Sequence, residues 1–189
     1  VGSRGLGDVY KRQFLIFFIC HFKTKSRIKC FSSLTDRTMT SSFFTQIGND
    51  INGEAADDNS GFSLHLSADG SIVAIGSPWN DGNGSNSGHI RIYKNVNNTW
   101  TQLGNDINGE AADDEFGYSV NISDDGNVVA VGAHQNSTGN GYVRIYKYVN
   151  NTWTKVGSDI EGEGVSDNLG RSVSLSSDGN IVAIGAILH

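Results

Sequence analysis

Two cysteines, one proline and one methionine occur in 189 residues. Both cysteines, Cys20 and Cys30, lie before residue 39, so the rest of the chain holds no disulfide and no thiolate metal site. No apolar run approaches the roughly 18 residues that a membrane-spanning helix requires. Basic residues are scarce beyond residue 38, with six Lys/Arg against 18 Asp/Glu. That net charge of −12 disfavours nucleic-acid binding. The 24 glycines lack a three-residue period, which excludes a collagen helix. Disorder is excluded by what is present: 37% apolar residues and 10% aromatics.

Residues 1–38 are a different material, with eight Lys/Arg and two Asp. Residues 3–13, Ser-Arg-Gly-Leu-Gly-Asp-Val-Tyr-Lys-Arg-Gln, resemble the in-frame translation of a sequencing-library adapter, and such scars stand outside fold reasoning. Phe14 to Cys20 is apolar with basic flanks, like a secretory signal, but no small-residue cleavage site follows. Met39 is the only methionine and the alternative start. The segment is thus an adapter-derived piece joined to a translated leader or a targeting segment. It is expected to lie outside the native fold.

Residues 39–189 are a repeat, the feature to settle before any local assignment. Phe44-Thr-Gln-Ile-Gly48, Trp100-Thr-Gln-Leu-Gly104 and Trp153-Thr-Lys-Val-Gly157 each lead into Asp-Ile-X-Gly-Glu, at 50–54, 106–110 and 159–163. Then come Ser60-Gly61, Phe116-Gly117 and Leu169-Gly170, followed by Ser-X-Asp-Gly at 67–70, 123–126 and 176–179. Each turn opens an apolar run ending in Gly76, Gly132 or Gly185, and Gly88-His-Ile-Arg-Ile-Tyr-Lys94 matches Gly141-Tyr-Val-Arg-Ile-Tyr-Lys147. The periods are 56 and 53 residues.

Inside one copy, Tyr118, Val120 and Ile122 alternate with a period of two, and Asp125-Gly126 is a hairpin signal. Residues 127–133 are nearly all apolar, as in a strand covered on both faces. After a glycine-containing loop, residues 141–148 alternate again, Asn150-Asn151 turns the chain, and 152–156 form a fourth strand. Four short antiparallel strands at a period of about 50 describe a β-propeller blade. The expected fold class is therefore all-β: a propeller fragment of about two and a half blades. It comprises the last strand of one blade at 43–48, blades at about 60–104 and 116–157, and a half blade at about 169–189.

The repeat resembles the FG-GAP family, best known from the integrin α-chain propeller. The matching residues are Phe116-Gly117 and, at the Gly-Ala-Pro position, Gly76-Ser77-Pro78, Gly132-Ala133-His134 and Gly185-Ala186-Ile187. The family's calcium loops place Asp-X-Asp-X-Asp-Gly in the first hairpin. Here Ser-X-Asp-Gly stands, and one Asp per turn falls short of the six or more oxygens that calcium takes.

In a propeller, the 2→3 loops and the 4→1 connections share one face, where length and variation concentrate. That face is expected to carry Asp57, Asp58, Asp113, Asp114, Asp167, Asp81, Trp79 and His134, either as a ligand face or as a solvated acidic rim. Trp79 has no counterpart in the other copies and is the strongest single contact candidate. For Asp50, Glu54, Asp106, Glu110, Asp159 and Glu163, a blade-joining role is preferred over a calcium site, because glycine falls at the wrong position for an EF-type loop. Arg91 and Arg144 are repeat equivalents, which favours cross-strand structure over substrate binding. Five Asn-X-Ser/Thr sequons, at Asn83, Asn97, Asn121, Asn136 and Asn150, add slight support for secretion.

No nucleophile elbow, metal-ligand spacing or arginine cluster marks an enzyme. The expected function is non-catalytic recognition of protein or glycan, at a cell surface or outside the cell, with no cofactor and with further blades of the same chain as neighbours. The alternatives are a propeller hydrolase whose catalytic residues lie in other blades, and a purely structural repeat.

Overall fold

The computed structural model describes residues 14–18, 26–34, 43–135 and 139–187, and among these there are strands but no helix. The clearest unit runs from β9 (Ser119–Ile122) through β10 (Val128–Ala133) and β11 (Tyr142–Val149) to β12 (Thr152–Glu161). They form one antiparallel sheet in the order β12-β11-β10-β9. Asn150 and Asn151 join β11 to β12 with φ of 51° and 65°, and Asn97-Asn98 repeats this at 50° and 63°. Positive φ at both central residues is the two-residue turn whose twist matches a hairpin, and asparagine tolerates it. The Ser-X-Asp-Gly turn satisfies itself: the Ser123 hydroxyl donates to Asp125 at 2.6 Å, and the amides of Asn127 and Val128 return to Asp125 and Ser123, each at 3.0 Å.

The preceding copy repeats this sheet with β4 (Ser63–Leu66), β5 (Ile72–Ser77), β6 (His89–Val96) and β7 (Thr99–Gln102) in order. A short β8 (Ile107–Asn108) continues β7 against β6. The last copy supplies β13 (Ser172–Leu175) and β14 (Val182–Gly185). First strands gather innermost, β4 beside β9 and β9 beside β13. β5 and β10, the apolar runs, are buried almost throughout, which is why these residues alone lack alternation. The main core joins Ile72, Ile90 and Ile92 of one sheet to Phe116, Val129, Val131 and Trp153 of the next, so neither blade buries its face alone.

The chain departs from expectation at its start. The reading that left 1–38 outside the fold is corrected for residues 26–34. β2 (Arg27–Leu34) pairs antiparallel with β3 (Phe43–Asn52), and β1 (Phe14–Phe18) lies along β2; the adapter-like residues 3–13 lie outside the described residues. The pairing Ile28↔Ile51 has the same place as Ile90↔Ile107 and Val143↔Ile160. The register shifts after Ile28 as it does after Val143. Gly53 donates its amide to the Ser26 carbonyl at 2.9 Å, as Gly109 does to Gly88 and Gly162 to Gly141. Ser26-Arg-Ile-Lys-Cys-Phe31 is thus a third-strand segment, with Lys29 where the later copies have arginine and Cys30 where they have isoleucine. Ile28 and Cys30 are buried, and burial pushes the Cys30 thiol up to about 11, so it behaves as a small apolar side chain.

Candidate functional site

Two sets of side chains compete for a functional assignment. The first is ionic and lies between blades. The bulge on each outer strand re-aims one basic residue of the third strand. Arg91 donates bidentately to Asp106 at 3.0 and 2.9 Å, and Arg144 to Asp159 at 2.9 and 2.7 Å. The Glu of the preceding Asp-Ile-X-Gly-Glu then closes on the same guanidinium: Glu54 on Arg91, and Glu110 on Arg144 at 3.0 Å. The 106–110 segment therefore clamps Arg91 of its own blade with Asp106 and Arg144 of the next blade with Glu110. Lys29 and Arg27 reach Asp50 more loosely, at 3.6 and 3.9 Å. Burial works against charging Arg144, yet the hydrogen bonds it donates to Asp159 and Glu110 hold its pKa above the ordinary value.

That arrangement bears on the calcium reading. Glu54, His89 and Asp106 do converge within 4.8 Å of one another, but Asp50 and Glu54, four residues apart, serve different basic residues. The Arg91 guanidinium already engages both Glu54 and Asp106. In the next copy Tyr142 takes the place of His89, with Arg144 over its ring at 4.5 Å. A carboxylate–histidine set with a guanidinium among its oxygens does not fit calcium, which takes six to eight oxygen ligands. Asp50, Glu54, Asp106, Glu110 and Asp159 belong to the clamps. Glu163 is the equivalent of Glu54 and Glu110, exposed after β12.

The second set lies on the loop face. Three of the acidic candidates turn inward. Asp58 accepts from the Ala55 amide and Asn80 Nδ2, each at 3.1 Å, and Asp114 from the Ala111 amide at 3.1 Å and the Tyr142 hydroxyl at 2.9 Å. Asp167 accepts from the Gly164 amide at 2.6 Å. All three are buried, so they close their own connections instead of facing a ligand. Asp81 and Asp113 are exposed and tied through Asn86, whose amide meets Asp81 at 2.9 Å and whose Nδ2 meets Asp113 at 3.2 Å. Asp57 is exposed with φ 71°.

Trp79 and His134 come together through residues that the sequence reading passed over. Phe62, directly before β4, has its ring centroid 5.7 Å from Trp79 and 4.8 Å from Tyr118. Tyr118 lies 3.9 Å from the His134 ring, and the Arg171 guanidinium sits 5.6 Å from the Tyr118 centroid. Phe62, Tyr118 and Arg171 are one repeat position, the residue after the Ser-Gly, Phe-Gly and Leu-Gly pairs. That equivalence was the available signal. Glu115 accepts from the Trp79 indole and lies 3.6 Å from His134 Nδ1, a buried nitrogen with no hydrogen-bond partner. Burial pushes the Glu115 carboxyl up, and burial together with Arg171 pulls His134 down to about 4. The imidazole is neutral near pH 7. A row of one exposed and two half-buried aromatic rings, with a carboxylate and a guanidinium beside it, can stack on an apolar face and hydrogen-bond around it.

Residues 108–145 match the FG-GAP repeat family model. None of the curated proteins compared with the chain matches it. Among solved structures, the chain is similar to a protein of Bacteroides uniformis provisionally named 6-phosphogluconolactonase, at 13% identity and a TM-score of 0.53. The match covers 85% of this chain and 43% of that one. TolB from Acinetobacter baumannii matches at 15% identity and a TM-score of 0.42, over 85% of this chain and 34% of that one. The chain thus spans less than half the length of either structure, and the likeness to the first is one of fold.

Proposed function

We propose that this chain, which carries an FG-GAP repeat at residues 108–145, is a non-catalytic recognition module that binds protein or glycan through its loop face. The observation that carries the reading is the division of labour just described. Repeated charged residues are engaged in clamps and loop closure, while the non-repeated Trp79 and its aromatic neighbours remain at the surface. Few rotatable bonds and large contact area make such rings effective anchors for a partner. An adhesion-like role at a cell surface or outside the cell draws support from the sequons Asn97 and Asn150, both on exposed hairpin tips.

A hydrolase is the second reading, and its specific support is the Glu115–His134 pair beside the row. One experiment separates the two. The full chain is applied to a printed array of defined extracellular-matrix proteins and glycans, with parallel lactone and phosphoester hydrolysis assays. Saturable binding that Trp79→Ala abolishes, without turnover, is the expected result. Turnover that Glu115→Gln removes would establish the hydrolase instead.

A further inference from the structure

The loop-face row deepens the recognition reading, on which it rests, by its chemistry. We infer that Trp79, Phe62 and Tyr118, with Glu115, His134 and Arg171 around them, form a carbohydrate subsite that seats a pyranose ring on the Phe62 face. Phe62 is 45% exposed although it touches two other aromatic rings, so an apolar face stays open to solvent at the centre of the row. Neighbouring rings are tilted by 57° and 48° to it, so the three rings do not lie in one flat plane.

The polar groups at this wall differ in kind. Glu115 offers a carboxylate acceptor, Arg171 is an exposed donor, and His134 Nδ1 is buried without a hydrogen-bond partner. Mixed donors and acceptors of opposite charge around an apolar face suit hydroxyl groups, each of which both donates and accepts. A purely apolar peptide side chain would leave them unmatched. A sugar's axial C–H bonds meet the negative face of an aromatic ring favourably, on the same grounds that ring edges do.

The test is calorimetric titration of the full chain with cellohexaose and with chitohexaose, following Trp fluorescence in parallel. Saturable binding of one oligosaccharide is expected, weakened at least ~10-fold by Phe62→Ala and restored by Phe62→Tyr. Arg171→Gln, at an exposed position, is the second variant and is expected to weaken binding several-fold with unchanged circular dichroism. Binding of neither sugar, or binding indifferent to both variants, overturns the inference. If a protein on the array binds instead and Phe62→Ala abolishes it, the sugar subsite is overturned and the recognition reading stands. If hydrolysis is seen with no binding partner, the recognition reading itself falls.

Discussion

Arg144 shows how one side chain joins two blades. Its side chain is only 5% exposed, and it is held by Asp159 of its own blade and Glu110 of the connection before it. A buried ion pair adds little over an apolar substitute, but removing one partner strands the others. Arg144→Gln is expected to destabilise the chain by about 3 kcal/mol in urea unfolding. Arg171→Gln, on an exposed side chain, is expected to stay within about 0.5 kcal/mol. The histidines give the molecule a pH dependence of definite sign. Burial lowers the pKa of His65, His89 and His134, the last to about 4, so the folded chain binds fewer protons than the unfolded one. Their contribution is fully present above pH ~6.5 and is lost as pH falls from there towards 4. The urea midpoint is expected to drop over that window, and His134→Gln to flatten the drop. His65 ties this to the inner strands, since its Nδ1 accepts the Ile122 amide of the next blade at 3.2 Å and protonation removes that acceptor.

Among the elements, the outer strands carry the clearest inter-blade contact. The Trp153 indole donates to the Leu103 carbonyl at 2.8 Å and lies over Gly104, as Trp100 does with Ile47 at 3.0 Å and Gly48. Gly104 and Gly157 have the same left-handed backbone, φ of 76° and 73°, yet a side chain at Gly104 meets Trp153 while Gly157 has open space. Both Ala variants share the backbone penalty, so their difference isolates the packing. Gly104→Ala is expected to cost about 1–3 kcal/mol more than Gly157→Ala by thermal unfolding. These strands were legible in the sequence because turns and alternation are local: Asn150-Asn151, Asp125-Gly126 and the 127–133 run each announce themselves within a few residues. What was not legible joins distant residues. Glu54 and Asp106 belong to different copies and meet only because the bulged strand aims Arg91 between them. Phe62 was not among the candidate residues, and it meets Tyr118 of the next blade only in the fold. Arg27 and Lys29 looked like the flank of an apolar leader, and Lys29 masked its equivalence to Arg91 and Arg144.

The whole molecule is a stack in which each blade covers the one before. Ile72 is buried by the next copy's Gly126 turn, whereas its equivalent Ile181 is 70% exposed. Ile107 is buried and Ile160, its equivalent, is not. Stability in a repeat stack is a sum of neighbour contacts, so within these 189 residues the amides of the more exposed β13–β14 are expected to exchange hydrogen well before those of β9–β11, and simultaneous exchange of both would contradict a nearest-neighbour stack. The recognition proposed above is placed on the face where connections and 2→3 loops meet. Hydrogen exchange of the full chain, alone and saturated with the strongest binder from the protein and glycan array, tests that placement directly. Protection confined to residues 61–62, 79–80, 115–118 and 134–135 is the result expected. Protection centred on the Asn97-Asn98 and Asn150-Asn151 turns, with the aromatic row unchanged, would contradict recognition at this face.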